Sequence, residues 1–498
     1  MSTGGIFTLI TNDGKQDRML MASELLKSRL TRLMQLRQSA GKDPTPTLMD
    51  IEKTHVLFMN SHFKPFAALG YEYNKVRPSS GSTLLGSTVQ FSIPQFGDFF
   101  NDMVLHMTLS APQVVGGTNP TYRWCQYPGE RLCSRVRFTV NGNPLDDYAS
   151  QDYCFFRKFE VGPVKLPGYQ RCMGQEIPEL GEMYQGSSTP TNNRLFCMYS
   201  DGPQTPKRVH QPLELFVPLI FWFNRDVALS IPSVAIPFGQ RFIEVDLAQQ
   251  SELVAIENRG TGSGGTLGQV NISTCELYIN NIFVNPEVHD IFIKRIGFTL
   301  IRVHRHQVNR VVTSSGEVLL NNIRWPIEKL MIGARPPGNI NTNNTDYDGN
   351  GNQFTHLDHW HSFCRSTRTD VTGGQVSAYV DAQSRTIDKL TVRAQGTNLY
   401  DDFPAGFYNS YLPFRFGKTT VTPTDLGAHL ITFGLNPDQY QPSGHINISR
   451  AREFYVNYES GVGSPEISVA NPMDFVVSAT AINFLLISDG SAVLRYST

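Results

Sequence analysis

The chain has 498 residues, more than one ordinary hydrophobic core organises, so two or three domains are expected. Apolar residues make up 40% and charged residues 17%, which excludes a disordered chain. The 43 Lys and Arg nearly balance the 44 Asp and Glu, and a net charge of −1 leaves no overall electrostatic footprint for direct binding to nucleic acid.

The first predicted element is a helix over residues 17–38, DRMLMASELLKSRLTRLMQLRQ, which contains no Pro or Gly. Met19, Ala22, Leu26, Leu30 and Leu33 fall near one stripe, and Lys27, Arg29, Arg32 and Arg37 give a basic polar side. Such an arm packs on its own protein or a neighbour, or meets a membrane surface or inner-layer partner. Pro44 and Pro46 stop it.

From about residue 51 the pattern is strand after strand, each bounded by turn residues, and 41 Gly with 30 Pro suit that pattern. STVQFSI, DMVLHMTL, RVRFTVNGNPL and QRFIEVDL are examples, and NGNP at Asn141–Pro144 is a turn by its chemistry. LELFVPLIFWF (Leu213–Phe223) is the longest nearly apolar stretch and is too short to span a bilayer. RGTGSGGTLG, with five glycines between Arg259 and Gly268, reads as a linker. Strands then resume, interrupted by a long polar loop from Gly338 to Asn352.

Three pairs of segments match in the same order on either side of the Gly-rich run. THVLFMNSHF (Thr54–Phe63) resembles TCELYINNIF (Thr274–Phe283). DFFNDMVLHMTL from Asp98 resembles DIFIKRIGFTL from Asp290. IPSVAIPFGQRFIEV from Ile231 resembles QPSGHINISRAREFYV from Gln441. Two copies of one all-β unit in tandem follow. The expected division is an N-terminal arm over residues 1–50, a first all-β unit over 51–258, a Gly-rich linker over 259–270 and a second all-β unit over 271–498.

Candidate chemistry is thin. His304-Arg305-His306 has the spacing of a cupin metal strand, but the positions that need Glu hold Arg310 and Val311, and Glu317 lies too far on. PSGH at Pro442–His445 has the wrong spacing for the second cupin motif. Ser443 with His445 lacks the strained elbow and the third group of a hydrolase. His356, Asp358, His359 and His361 cluster in HLDHWH without a Cys pair or HExxH helix, so a polar loop edge outweighs a metal site. No phosphate loop or dinucleotide fingerprint is present. Seven scattered cysteines, an odd number, read as reduced thiols in a cytosolic setting, where the sequons at Asn271, Asn343 and Asn447 stay unglycosylated. No catalytic, cofactor-binding or metal residue is assigned, and the profile is that of a structural or binding protein.

Long strings carry a resemblance that runs end to end. They include FKPFAALGYEYNKVRP (Phe63–Pro78), YPGERLCSRVRFTVNGNPLDDY (Tyr127–Tyr148), IPSVAIPFGQRFI (Ile231–Ile243), ELYINNIFVNPEVH (Glu276–His289), QPSGHINISRAREFY and SAVLRYST (Ser491–Thr498). On them the chain resembles the major capsid proteins of large icosahedral DNA viruses, in the African swine fever virus-like branch. The resemblance implies an all-β double jelly roll that forms homotrimers, pseudo-hexagonal capsomers tiling a shell around an inner membrane. It implies contact with minor capsid or cement proteins, an assembly chaperone, inner-layer or membrane contact through the arm, and assembly in the host cytoplasm. Insertions after Ser110, near Gly186 and around Gly338 are shorter than in the best-known relative. The rival class is a lectin-like or receptor-binding β-sandwich surface protein.

Overall fold

The computed structural model of the chain describes residues 23–41, 43, 45, 69–116, 121–176, 183–184, 194–195, 209–236, 240–257, 265–284, 297–336, 339, 346–347, 353–354, 356–373, 376–416, 419–437, 439–450, 453–460, 467, 469, 472–488 and 490–496. Met1–Ala68 and Leu69–Thr498 are separate units. The first contains a helix, α1 (Ser23–Ser39). The predicted stripe residues Met19 and Ala22 lie outside the described residues, Leu33 is half-buried, and Arg32 and Leu36 are exposed. No described helix is long and apolar enough to cross a membrane.

The second unit is built on antiparallel strands. Eight come first: β1 (Leu69–Val76), β2 (Thr88–Ser92), β3 (Phe99–Leu109), β4 (Cys133–Val140), β5 (Asn143–Ala149), β6 (Leu213–Pro218), β7 (Arg241–Leu247) and β8 (Ile272–Val284). Eight more follow: β9 (Gly297–Val311), β10 (Ser315–Leu319), β11 (Pro326–Arg335), β12 (Lys389–Ala394), β13 (Thr397–Pro404), β14 (Ala428–Thr432), β15 (Phe454–Glu459) and β16 (Met473–Ser488). The first set pairs in the orders β1-β8-β3-β6 and β2-β7-β4-β5. The second set pairs as β9-β16-β11-β14 and β10-β15-β12-β13, each strand eight places on. The chain is a double jelly roll, and its two rolls have the same topology.

Local chemistry repeats with the topology. β7 and β15 alternate buried and half-buried residues, the period of a strand with one face on a core. Asn141 and Gly142 (φ 52° and 79°) turn β4 into β5, and Gln395 and Gly396 (φ 49° and 80°) turn β12 into β13. Both are two-residue hairpins with positive φ at each centre, the geometry that matches the strand twist. An extra residue on β3, opposite Ile279 and Asn281, recurs on β11, opposite Ala479 and Ala481.

These strands correct the expected boundaries. β8 hydrogen-bonds to both β1 and β3, so it completes the first roll instead of opening the second. The Gly-rich run precedes β8 and lies inside the first roll. Its described end, Thr266–Leu267, pairs with Val114–Val115, and a Cβ on Gly265 would stand 2.5 Å from Val114 Cγ1. The chain passes between rolls after Val284 and before Gly297.

Only one of the three repeat matches joins equivalent strands. Ile231–Pro232 pairs with β3 and leads through a 3-10 turn into β7; Ile446–Asn447 does the same with β11 and β15. The Asp98 segment is a third strand, whereas the Asp290 segment leads into a first strand. Thr54–Phe63 lies outside the described residues, and Thr274–Phe283 is β8, a last strand.

One helix joins the rolls. α2 (Ser150–Phe159) continues β5, and its start is fixed by the Asp152 carboxylate, which accepts the Ala149 N–H at 2.8 Å. Its Phe155 and Phe159 leave the first roll and pack with Met331, Phe363, Leu430 and Val476 of the second. Phe155 stacks on Phe363 at 4.8 Å between centroids. Phe155→Ala removes that contact and leaves a cavity between rolls. The expected cost is about 3–5 kcal/mol, read as a lower denaturation midpoint of the full chain, with Phe155→Leu losing much less.

Candidate assembly interface

The seam between the rolls is built on β5 and β9. β9 is an edge strand, so its outward N–H groups need acceptors. Asp146 on β5 supplies one: its carboxylate accepts the His304 N–H at 2.8 Å and the Nδ1–H of the same residue at 3.0 Å. Arg225 donates to His304 Nε2 at 3.2 Å, which fixes the tautomer because a guanidinium has only donors. Arg225 also binds Glu160, which takes a second cation, Lys329 of β11, at 3.0 Å. Burial pushes the Glu160 carboxyl up, and the two cations outweigh it and hold it down at about 2.

A second charged patch surrounds the end of α2. Arg157 Nε donates to Glu130 at 2.8 Å and Arg157 Nη2 donates to His361 Nδ1 at 3.0 Å, while the guanidinium lies 3.6 Å from the centre of the Tyr127 ring. Lys158 pairs with Asp425, whose carboxyl is held at about 2 although burial opposes it. Burial pushes the Glu130 carboxyl up despite Arg157. The four charged groups, Arg157, Glu130, Lys158 and Asp425, are buried, so removing one leaves a desolvated charge unpaired.

The matching surface of the second roll is open. β13 is exposed along nearly its whole length, whereas β5 is mostly buried. Phe403, Phe407 and Tyr411 stack in a row, with centroids 4.6 and 5.3 Å apart, and Phe414 beyond them is 79% exposed. A shallow open groove of about 560 Å³ crosses the outer face of β10, β15, β12 and β13, lined among others by Glu317, Lys389, Asp401, Asp402 and Glu459. Rows of exposed aromatics beside charged rims mark protein–protein contact.

The arrangement is that of known shell proteins. Residues 67–285 match the model of the major capsid protein N-terminus, and residues 284–493 match that of the large eukaryotic DNA virus major capsid protein. The hexon protein p72 of African swine fever virus (isolate Tick/Malawi/Lil 20-1/1983) is 37% identical, over 100% of both chains. This chain belongs to the major capsid proteins of large eukaryotic DNA viruses. The Faustovirus major capsid protein shares the fold with a TM-score of 0.79 and 36% identity, covering 96% of this chain and 100% of that one. The PBCV-1 virus capsid chain, at 18% identity and a TM-score of 0.63 over 89% of this chain and 100% of that one, shows the same fold. The two family models meet where β8 ends. The p72 alignment runs over 651 positions against 498 residues here, so that relative carries stretches with no counterpart in this chain.

In a capsid protein the sequence candidates take structural places. His304 and His306 do share a face of β9, but they face carboxylates of the first roll: Asp146, and Asp152 at 3.8 Å. His361 is buried, with Nε2–H donating to Gln126 Oε1 at 2.8 Å. Burial and then Arg157 and Lys158 push its pKa well below the ordinary range. His359 is half-buried, and the side chains of His356 and Asp358 lie outside the described residues. Among the described residues no three His, Cys, Asp or Glu gather to hold a metal ion.

Ser443 Oγ accepts the Asn436 N–H at 2.6 Å, and His445 is exposed. A Cβ on Gly444 would stand 2.7 Å from Phe433 O, so that position needs glycine. The Ser449 hydroxyl of the Asn447 sequon accepts the Trp325 N–H at 2.7 Å. Asn271 is exposed, and Asn343 lies outside the described residues. Burial pushes the Cys125, Cys133 and Cys154 thiols up to about 12, which leaves them unreactive. The decisive carboxylates, Asp146 and Glu160, were not singled out from the sequence. Their signal is charge inside aromatic runs, LDDY and FFRKFE.

One consequence is pH dependence. His429 is fully buried, with Asp425 and Arg385 nearby, and burial lowers its pKa to about 4. The unfolded chain therefore takes the proton first. The contribution is intact above pH 6.5 and is lost as pH falls towards 4, by about 3 kcal/mol. Glu160 and Asp425 remain ionised across that window. Thermal melts of the full chain should show the midpoint falling between pH 6.5 and 4, and His429→Gln should reduce that slope, the remainder coming from His361, whose pKa is lowered as well.

Proposed function

We propose that this capsid protein builds its shell as a homotrimer whose six rolls form a pseudo-hexagonal capsomer tiling the icosahedral shell of a large double-stranded DNA virus. The observation that carries this is the strand-for-strand equivalence of the two rolls. Three chains then present six walls of one shape, and similar walls tile a flat facet with similar contacts. The exposed aromatic row on the second roll supports an extensive interface between copies, since charge balance supplies no strong net attraction.

The partners proposed are further copies of itself, minor capsid or cement proteins and an assembly chaperone. The arm of residues 1–50 turns to an inner layer or membrane, and assembly takes place in the host cytoplasm. Isolated protein at micromolar concentration should sediment as trimers with hexagonal outlines in electron micrographs; a stable, well-folded monomer refutes the reading. Deleting residues 1–40 should leave trimers intact and abolish attachment to the inner layer, measured by co-sedimentation with vesicles or particle cores. Normal particles from the deleted chain count against the arm's role.

A further inference from the structure

We infer that β13 of one copy receives β1 of the next, as β5 already receives β9 within the chain. This rests on the trimeric reading above and names the surfaces that close the ring. β5 and β13 are the same strand of the two rolls. Asp146-Asp147-Tyr148 follows one two-residue hairpin turn, and Asp401-Asp402-Phe403 follows the other. Register aligns the two hairpins from Tyr148 and Phe403 onward; at the aspartates β13 shifts once more than β5, so Asp146 lies opposite Phe138 while Tyr400 lies opposite Val392. Arg135 lies opposite Ala149 and Val136 opposite Tyr148, while Lys389 lies opposite Pro404 and Leu390 opposite Phe403. The same ion pair recurs, Arg135 to Asp147 at 2.6 Å and Lys389 to Asp402 at 3.0 Å.

What differs is cover. Asp146 is buried by β9, and Asp401 is exposed, bonded to Asn398 at 2.6 Å. The strand equivalent to β9 in the first roll is β1, also an edge strand, and it is exposed too. Its register is set by the shared extra residue on β3 and β11. Beyond it, Ile279 faces Met103 and Ala479 faces Leu330, so Asn280 corresponds to Thr480. Tyr73 lies opposite Asn280 and His304 lies opposite Thr480. Tyr73 therefore stands where His304 stands, with its outward N–H in place to meet an acceptor.

Transferring the seam predicts the new contact residue by residue. Asp401 accepts the Tyr73 N–H of the next copy, as Asp146 accepts that of His304. Phe403 packs on Tyr71 and Tyr73, which are 74% and 53% exposed, as Tyr148 lies 5.2 Å from the His304 ring. Charges complement: Asp401, Asp402, Glu317 and Glu459 outnumber Lys389 and Arg393 on one side, and exposed Lys75 and Arg77 are on the other. The contact is heterologous, so no residue meets its own copy, and it is satisfied everywhere only when the ring closes.

The test places Tyr73→Cys and Asp401→Cys in one full-length chain and treats it with a short bis-maleimide. Denaturing gels should show a ladder ending at three chains, and each single variant alone should show no increase over wild type. In a second arm, Asp401→Lys with Asp402→Lys should weaken trimers at least ~tenfold by sedimentation. Its circular dichroism should stay unchanged, and adding Lys75→Asp with Arg77→Asp should restore assembly. Wild-type trimers accompanied by no ladder in the double variant and full assembly of the charge-reversed chain overturn this contact and leave the trimer standing. Wild-type monomers overturn both.

Discussion

The constraint on which the rest depends is the unpaired edge of a jelly roll. Each roll ends one sheet in a strand whose N–H groups face outward, and such an edge invites indiscriminate pairing. Within this chain the edge of the second roll is answered by Asp146, a buried carboxylate that takes a main-chain and a side-chain donor from one histidine. That contact fixes the position of β9 along β5 to within a hydrogen bond. Arg225, Glu160 and Lys329 then extend it as a line of alternating charge into the second roll.

Buried charges of this kind add little net stability compared with apolar packing, but they penalise every misaligned arrangement. The apolar work is done separately. Phe155 and Phe159 carry α2 of the first roll into a pocket of the second, so packing holds the rolls together while the charges set their register. The division suits a shell subunit. A wall that must match its neighbours across a facet tolerates little rocking between halves, and a helix anchored in both cores resists it.

The fold class was legible because jelly-roll strands alternate and their turns announce themselves. Pattern alone placed the strands but not their partners. Glycine abundance between Arg259 and Gly268 looked like a tether, yet the neighbouring run is needed as the strand between β1 and β3, and pairing between strands far apart in sequence leaves no local trace. Repeat matching fails for a related reason: β3 and β9 are both long strands, and similarity pairs a third strand with a first. The match that held includes a turn as well as a strand, and turn chemistry is position-specific. The seam was invisible because its carboxylates are distinguished only by burial, which the sequence does not display.

The two aspartate pairs show how much context decides. Asp146-Asp147 and Asp401-Asp402 are each followed by an aromatic residue, each follow a two-residue turn and each face a cation across the strand. One pair is at a buried seam and the other is on open surface. Local structure differs only in detail: Asp402 has φ 49°, and β13 shifts register twice where β5 shifts once. What differs most is whether an edge strand lies against the pair. β5 is covered by β9 of the second roll, whereas β13 is exposed among the described residues, and the proposed contact covers it with another copy. In the proposed ring, the intramolecular seam serves as the template for assembly, and the open surface of one chain is completed by the next.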